Sequence, residues 1–320
     1  MIEEEAVRRF ARDLAALAPE TQTPVAIAFS GGVDSLALLL LAQAARPGLV
    51  SAATVDHRLR PASAAEAAQA GETCRLLGIP HEILPVNVLP AGEGVQAAAR
   101  SARYRALADW MRRRGIGLLL TGHHADDQAE TLVMRLNRGS GVAGLAGIRA
   151  RSPFPAAGAE AVLARPLLGW RRSELETIVR AAGLQPIEDP SNRDEAYDRV
   201  RLRAQLAQAP WLDAAAVARS AAALADAEEA LTATAASLFD QRVRRDGEAL
   251  LLDPSGLPRE LRRRLAVAAL VAAGGGDARG EQVTALVAGL QEGRVQTLGG
   301  VKCSGGERWR FEAAPARRTG

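Results

Sequence analysis

The sequence predicts an α/β fold: a doubly wound, mainly parallel five-stranded sheet followed by a smaller, mostly helical C-terminal domain. Short apolar runs alternate with longer helical patterns through the first two hundred residues, which is typical of a parallel sheet covered on both faces. A Ser-Gly-Gly turn follows the first apolar run. After about residue 205 the alternation gives way to Ala-rich helical segments, and a length of 320 residues favours two domains.

Five short apolar runs predict the strands of the first domain, because each is bounded by turn residues and followed by a helical pattern. The predicted strands are Pro24–Phe29, Leu49–Val55, Glu82–Val88, Gly117–Thr121 and Val162–Leu168. The predicted helices are residues 1–20, Leu36–Ala45, Ala62–Leu77, Gln96–Arg114, Ala125–Asn137 and the segment from Ser173 to Gly183.

The second domain is expected to be mostly helical. We place the boundary at Gln208–Pro210, so that residues 1–207 form an ATP-binding catalytic domain and residues 208–320 a small tRNA- or substrate-binding domain. Its predicted helices are Ala214–Phe239, Pro258–Ala273 and Glu281–Leu290, and its short strands are Leu250–Pro254, Arg294–Leu298 and Arg308–Phe311.

Composition excludes several classes of protein. No uncharged apolar run approaches 18 residues, and the N-terminus has no apolar signal region, so we expect neither a membrane helix nor secretion. The two cysteines, Cys74 and Cys303, form no CxxC pair, which favours a reducing cytoplasm. The 40 basic residues include a single lysine, Lys302, so a lysine-dependent GxxxxGK phosphate loop is absent.

The strongest motif is Ser30–Ser35 (SGGVDS), directly after the first predicted strand. Gly31 and Gly32 would let the backbone approach a phosphate, and the following helix would present its N–H groups to it. Val33 lies within the same turn, and Ser30 and Ser35 can donate to phosphate oxygens. Asp34 would repel phosphate unless a cation intervenes, so it predicts Mg²⁺ or a proton-accepting role.

Two further groups lie where ligands are expected. Asp56 and His57 follow the second predicted strand, where they could contact adenosine, although an ordinary strand exit has the same pattern. Arg100 and Arg103 share one face of the long helix that also carries Tyr104. They could reach a phosphate or an adenylate, or simply form a solvated basic face.

The segment Thr121–Thr131 (TGHHADDQAET) follows the fourth predicted strand and opens a helix. Its helical spacing places Asp127 and Glu130 on one face, close to His124. This group could bind a metal or recognise an amine-bearing substrate, and an Asp at a helix N-terminus is also a common cap.

A basic segment ends the first domain. It begins with Asp189–Asn192 and continues through Arg199, Arg201 and Arg203, at alternate positions. Because alternate arginines would spread around a helix, we interpret this segment as reaching phosphates from several sides, or as a basic linker.

These five motifs, in this order, resemble those of the bacterial tRNA(Ile)-lysidine synthases of the PP-loop ATP pyrophosphatase superfamily, from residue 30 to residue 203. The segment Gly122–Gly141 is the most specific part of the resemblance. It implies an adenine nucleotide alpha hydrolase-like fold and a carbon–nitrogen ligase. Such an enzyme adenylates the wobble cytidine of a CAU-anticodon isoleucine tRNA with ATP and Mg²⁺, then joins free lysine to C2. A homodimer is also plausible by this resemblance.

The resemblance also implies roles for individual residues. The serines and glycines of SGGVDS would hold phosphates, with Asp34 placing Mg²⁺, and Arg103 would offset charge on the adenylate. The residues expected to order lysine or a cation are His124, Asp127 and Glu130, and those expected to grip tRNA are Arg199, Arg201 and Arg203.

Two alternatives and one departure remain. A tRNA 2-thiolation enzyme of the same superfamily normally needs paired cysteines, which the first domain lacks. A nucleotide-sensing module without catalysis would not need Asp34, Asp127 and Glu130. Val200 stands where the family usually has Asn, so a base-specific contact from that position is in doubt.

Overall fold

The computed structural model describes residues 2–58, 61–87, 95–187, 198–209, 211–276 and 280–315. The chain divides into two compact units, Met1–Ala225 and Asp226–Gly320. This division lies within the long helix Ala214–Arg242, whereas the boundary predicted between residues 207 and 208 falls before that helix.

The first unit alternates strands and helices along the chain. Its strands are β1 (Val25–Ala28), β2 (Val50–Asp56), β3 (His81–Pro85), β4 (Leu118–Leu120), β5 (Arg151–Pro153) and β6 (Val162–Ala164). Its helices are α1 (Glu4–Leu17), α2 (Val33–Ala45), α3 (Ser63–Leu76), α4 (Val95–Arg114), α5 (Ala125–Asn137), α6 (Val142–Leu145), α7 (Arg172–Ala181) and α8 (Asp198–Ala207), followed by the start of α9 (Ala214–Arg242).

The six strands form one sheet in the order β3-β2-β1-β4-β6-β5. All neighbours are parallel except β5, which pairs antiparallel with β6. Strand order reverses between β1 and β4, so the segments after these two strands flank the crevice where open α/β sheets bind ligands.

The five predicted parallel strands are all present, but the prediction of a five-stranded sheet is wrong by one. The missed strand, β5, has only three residues (RSP), two of them exposed. A strand this short and polar at a sheet edge carries no alternating apolar signal.

The sheet is buried on both faces. In β1, Val25 and Ile27 join one apolar cluster with α1, α2 and α7, whereas Ala26 joins another with α4. This split follows from the alternation of side chains along a strand. The apolar sequence of β1 is therefore needed on both sides, as expected for a central parallel strand.

The second unit contains a sheet that the sequence analysis underestimated. Its strands β7 (Val243–Asp246), β8 (Ala249–Leu252), β9 (Val295–Leu298), β10 (Val301–Ser304) and β11 (Trp309–Ala313) are antiparallel, in the order β7-β8-β11-β10-β9. The helices α10 (Arg259–Ala272) and α11 (Gly280–Gln291) share its apolar core.

The prediction of a mostly helical second domain is therefore wrong. The missed strands β7 and β10 belong to hairpins, and the β9–β10 turn is Gly299-Gly300, with φ of 57° and 83°. Two successive positive φ values define the tight hairpin turn that favours Gly-Gly, so the LGGV sequence carried the signal for this hairpin.

Within the described ranges, none of the helices is long and apolar enough to cross a membrane.

Candidate active site

The Ser30–Ser35 loop joins β1 to α2 and is closed by its own serines. The Ser30 N–H donates to Ser35 Oγ at 3.2 Å, the two hydroxyl oxygens lie 3.0 Å apart, and Ser35 Oγ donates to the Gly32 carbonyl at 3.0 Å. Val33 begins α2, so the loop ends at a helix N-terminus with unpaired N–H groups. This geometry suits phosphate binding.

Glycine is required at two positions around the loop. Gly31 has φ of 81°, and a Cβ there would lie 2.3 Å from Ile187 Cδ1. A Cβ at Gly122, after β4, would lie 2.8 Å from the Asp34 carbonyl oxygen. Close contact between the β1 and β4 loops therefore depends on Gly122, a residue that the sequence analysis did not single out.

The His124 side chain contacts aspartates both in the Ser30–Ser35 loop and in helix α5. Its Nε2 lies 3.5 Å from Asp34 Oδ1 and from Asp127 Oδ2, and its Nδ1 lies 3.5 Å from Asp126 Oδ2. Burial lowers the pKa of His124, but interactions with Asp126, Asp34 and Asp127 outweigh this and raise it to about 9. His124 is therefore a cation at neutral pH.

Two of the acidic neighbours of His124 are also bound elsewhere. Asp126 accepts from Arg171 Nη2 at 3.0 Å and from the Arg172 N–H at 2.8 Å, which joins α5 to the start of α7. Burial alone would raise the pKa of Asp126, but its bonds to His124, Arg172 and Arg171 lower it well below the usual range. Asp127 Oδ2 accepts from the His124 N–H at 3.1 Å, so Asp127 also caps α5.

The structure pairs the predicted lysine-binding carboxylates with two of the predicted tRNA-binding arginines. Arg199 Nε and Arg203 Nε each donate to Glu130 at 2.6 Å, and Arg199 Nη2 donates to Asp127 at 2.8 Å. Only 3% of the Glu130 side chain is exposed. These bonds join α8 to α5.

The interpretation of the basic segment as non-helical is corrected. Arg199, Arg201 and Arg203 lie on helix α8, where positions 199 and 203 share one face while Arg201 is exposed. The helix forms with this spacing because the two same-face arginines meet buried carboxylates. Asp189–Asn192 lies outside the described residues.

Asp56 shapes the exit from β2. Its Oδ1 accepts from the Arg58 N–H at 2.9 Å, and Arg58 has φ of 53°. Burial favours the neutral acid, but hydrogen bonds from Ser63 and Arg58 outweigh it and lower the pKa of Asp56. His57 Nδ1 is buried with no hydrogen-bond partner, and burial, followed by the charge of Arg103, lowers the pKa of His57.

Two further residues near the site, His123 and Arg165, follow β4 and β6 and are not among the predicted site residues. His123 Nδ1 lies 3.0 Å from Thr121 Oγ1. Burial, with smaller contributions from Arg165 and other arginines, lowers the pKa of His123 to about 4, although Asp127 opposes this. Arg165 directly follows β6 and is 7% exposed. The predicted strand Gly117–Thr121 ends just before His123, so position alone could have indicated that residue, whereas the predicted strand Val162–Leu168 runs through Arg165 and concealed its place after β6.

Asp34 is suited to supply one ligand to a magnesium ion whose other ligands come mainly from the phosphates of a bound nucleotide. Its Oδ1 is buried and makes no well-formed hydrogen bond, so a carboxylate oxygen is available. No group of three His, Cys, Asp or Glu among the described residues could hold a metal unaided. Mg²⁺ commonly takes one or two carboxylates and completes its shell with substrate phosphates and water.

The fold and the glycine–serine loop define a PP-loop nucleotide-binding protein, and the PP-loop domain family matches residues 4–210. Over 293 residues the chain is 45% identical to tRNA(Ile)-lysidine synthase of Zymomonas mobilis, covering 91% of this chain and 89% of the relative. It is 48% identical to the tRNA(Ile)-lysidine synthase of Novosphingobium aromaticivorans, over 98% of this chain and 95% of the relative. The chain belongs to the tRNA(Ile)-lysidine synthase family, which confirms the resemblance.

A solved structure also shows the fold. The U34-tRNA thiolase NcsA from Methanococcus maripaludis superposes with a TM-score of 0.57 at 16% identity, over 70% of this chain and 80% of that one. At this identity the likeness extends to the fold alone.

Proposed function

We propose that this protein is an ATP-dependent carbon–nitrogen ligase that forms lysidine in the isoleucine tRNA with a CAU anticodon. The cytidine C2 oxygen would attack the α-phosphate of ATP and release pyrophosphate, and the ε-amine of lysine would then attack C2, lose a proton and displace AMP. The observation that carries the proposal is the closed Ser30–Ser35 loop at the β1/β4 crevice of a chain 45–48% identical to named lysidine synthases. The enzyme would work in the cytoplasm.

The phosphates of ATP would lie on the loop. Ser30, Ser35 and the first N–H groups of α2 would donate to phosphate oxygens. Mg²⁺, when bound at Asp34, would offset phosphate charge. The imidazolium of His124 faces the same crevice and would stabilise negative charge on the phosphates as pyrophosphate leaves. This role differs from the ordering of lysine or a cation expected for His124, because a group with a pKa of about 9 itself carries a positive charge at neutral pH.

The lysine ammonium would bind at Asp127 and Glu130. These carboxylates already hold two cations, the guanidinium groups of Arg199 and Arg203. The cluster is thus able to stabilise a positive charge in a mostly buried position. For Arg199 and Arg203 to grip tRNA phosphates, they would have to release the carboxylates, and lysine would then take their place.

The two cysteines do not suit the alternative function, a tRNA 2-thiolation enzyme. The only two in the chain, Cys74 and Cys303, are both buried and lie in different units. Burial raises the pKa of Cys74 to about 12 and that of Cys303 to about 11. Sulfur transfer needs an accessible thiolate, so neither residue suits it.

The test is incorporation of labelled lysine into an unmodified CAU-anticodon transcript with ATP and Mg²⁺. We expect acid-precipitable label that depends on ATP and on the wobble cytidine. Folded protein that incorporates no lysine would refute the proposed function.

A further inference from the structure

Three arginines surround one tyrosine near the active site. The Cζ atoms of Arg100 and Arg103 lie 5.0 Å and 5.9 Å from the Tyr104 ring centroid. Arg165, which directly follows β6, interacts with the same tyrosine. The ring of Phe154 packs edge-on against that of Tyr104, with the ring centroids 5.7 Å apart. We call Arg100, Arg103, Tyr104 and Arg165 the Tyr104 cluster.

The three arginines of the Tyr104 cluster bring positive charges close together. Among the described residues, no carboxylate lies within ion-pair distance of its three arginines, whereas the nearby Arg199 and Arg203 each bind acids. Arg165 is 7% exposed and donates to the Arg149 carbonyl at 2.6 Å and to Ser152 Oγ at 3.4 Å, and its buried Nε has no hydrogen-bond partner among the described residues. A buried cation without a counter-charge is costly, so the cluster is suited to an anionic ligand.

The fold places the Tyr104 cluster at the ligand edge of the sheet. Helix α4 begins beyond the carboxyl end of β3, so Arg100 and Arg103, in its first half, lie towards the edge that carries the Ser30–Ser35 loop. Arg165 directly follows β6, which is separated from β1 by β4. With strands about 4.8 Å apart, Arg165 is roughly 10 Å from the loop, on the side away from β2.

The position of the Tyr104 cluster favours binding of a tRNA phosphate over binding of the pyrophosphate that leaves from ATP. Pyrophosphate would be held by the loop itself, at the end of β1, whereas the base that attacks ATP must approach from beside it. Unstacked RNA loops are recognised by stacking on aromatic rings and guanidinium planes and by arginine contacts to phosphate. The exposed side chains of Arg100 and Arg103 offer guanidinium groups suited to both stacking and phosphate contact, whereas the Tyr104 ring is covered by these arginines and Phe154.

We propose that the Tyr104 cluster binds a backbone phosphate of the tRNA anticodon loop beside the wobble cytidine. This inference rests on the proposed function, because it takes the CAU-anticodon tRNA as the substrate. Arg165 supplies a fixed charge held by the β5–β6 hairpin, and Arg100 supplies an exposed guanidinium that can adjust to the RNA.

The test measures binding of a fluorescent CAU anticodon stem-loop by anisotropy at several salt concentrations. Arg100→Gln and Arg165→Met should each weaken binding about tenfold, as expected for one charged hydrogen bond. Each should also lower the slope of log K against log salt by about 0.7. Arg105→Gln is the matched control, since Arg105 is exposed on the same helix, lies outside the Tyr104 cluster and donates to the Ser101 carbonyl. Its affinity should equal that of the wild type.

Calorimetry of pyrophosphate and ATP binding to the same variants distinguishes a site for a tRNA backbone phosphate from a site for the pyrophosphate that leaves from ATP. We expect the affinities for pyrophosphate and ATP to be unchanged. Weaker pyrophosphate binding with unchanged stem-loop binding would overturn the proposal and assign the cluster to the leaving group. Wild-type stem-loop affinity in Arg100→Gln would also overturn it, and this exposed variant decides the matter if Arg165→Met does not fold. Failure of the proposed function would show differently, as wild-type protein that incorporates no lysine.

Discussion

Replacing Glu130 by Gln should loosen helix α8. Glu130 is almost fully buried and accepts both 2.6 Å bonds that hold Arg199 and Arg203. Removing one partner of a buried ion pair costs about 3–5 kcal/mol. Because the two arginine side chains are 43% and 35% exposed, water screens part of this, and we expect about 2 kcal/mol. For a unit of this size that corresponds to a fall in Tm of about 4–8 °C.

The assay is thermal unfolding by circular dichroism together with hydrogen exchange of peptides from residues 198–207. Glu4→Gln is the matched control, because Glu4 also pairs with an arginine, Arg8, but is 83% exposed. We expect faster exchange in α8 for Glu130→Gln and no change for Glu4→Gln. If Glu130→Gln kept both the Tm and the exchange rates of the wild type, the Glu130 ion pairs would not anchor this helix.

Three further predictions concern the loops around the crevice. Asp34→Ala should abolish pyrophosphate release, because it removes the carboxylate expected to place Mg²⁺, and it should also lower the Tm, because Asp34 Oδ1 lies 3.5 Å from the buried imidazolium of His124. His123 has a pKa of about 4, below the value of about 6.5 in the unfolded chain, so the unfolded state binds the extra proton first. Stability should therefore fall between pH 6.5 and 4, by up to about 3 kcal/mol, and urea titrations should show that His123→Gln removes this part of the loss. Gly122→Ala should lower ATP-dependent turnover at least about tenfold, because the new Cβ displaces the Asp34 backbone.

A matched control is available for Gly122→Ala. Gly117→Ala introduces a Cβ that meets no atom within 4 Å, so it should leave turnover unchanged. Wild-type turnover in Asp34→Ala would refute the assigned metal role. An acid stability profile of His123→Gln that matches the wild type would show that His123 titrates normally, and full activity of Gly122→Ala would show that the two loops are not in close contact.

The sequence was sufficient to predict elements whose signal is local. Apolar runs such as Pro24–Phe29 identified the parallel strands, and the Ser30–Ser35 motif identified the phosphate loop at the correct strand end. Both are set by residues within a few positions of one another. The edge strand β5 and the hairpins of the second unit were missed because their strands have only three to five residues, too few for a clear alternation of apolar and polar residues, although the Gly299-Gly300 turn did carry a local signal.

Side-chain pairing could not be predicted, because the partners lie far apart in the sequence. Arg199 and Glu130 are 69 residues apart, and nothing in either local sequence specifies the other as partner. The spacing of three arginines indicated phosphate contacts, whereas the structure shows that two of them satisfy buried acids. Burial lowers the pKa of His123 and, despite burial, the local Asp126 raises that of His124, but each shift also depends on a residue distant in sequence, Arg165 for His123 and Asp34 for His124.

The central claim is that lysine is joined to the wobble cytidine. The most direct measurement is mass spectrometry of nucleosides from a CAU-anticodon transcript incubated with the protein, ATP, Mg²⁺ and isotope-labelled lysine. We expect one cytidine per tRNA to become a lysine adduct carrying the label, with AMP and pyrophosphate formed in equal amounts. An unmodified wobble cytidine, or a 2-thiolated one, would contradict it.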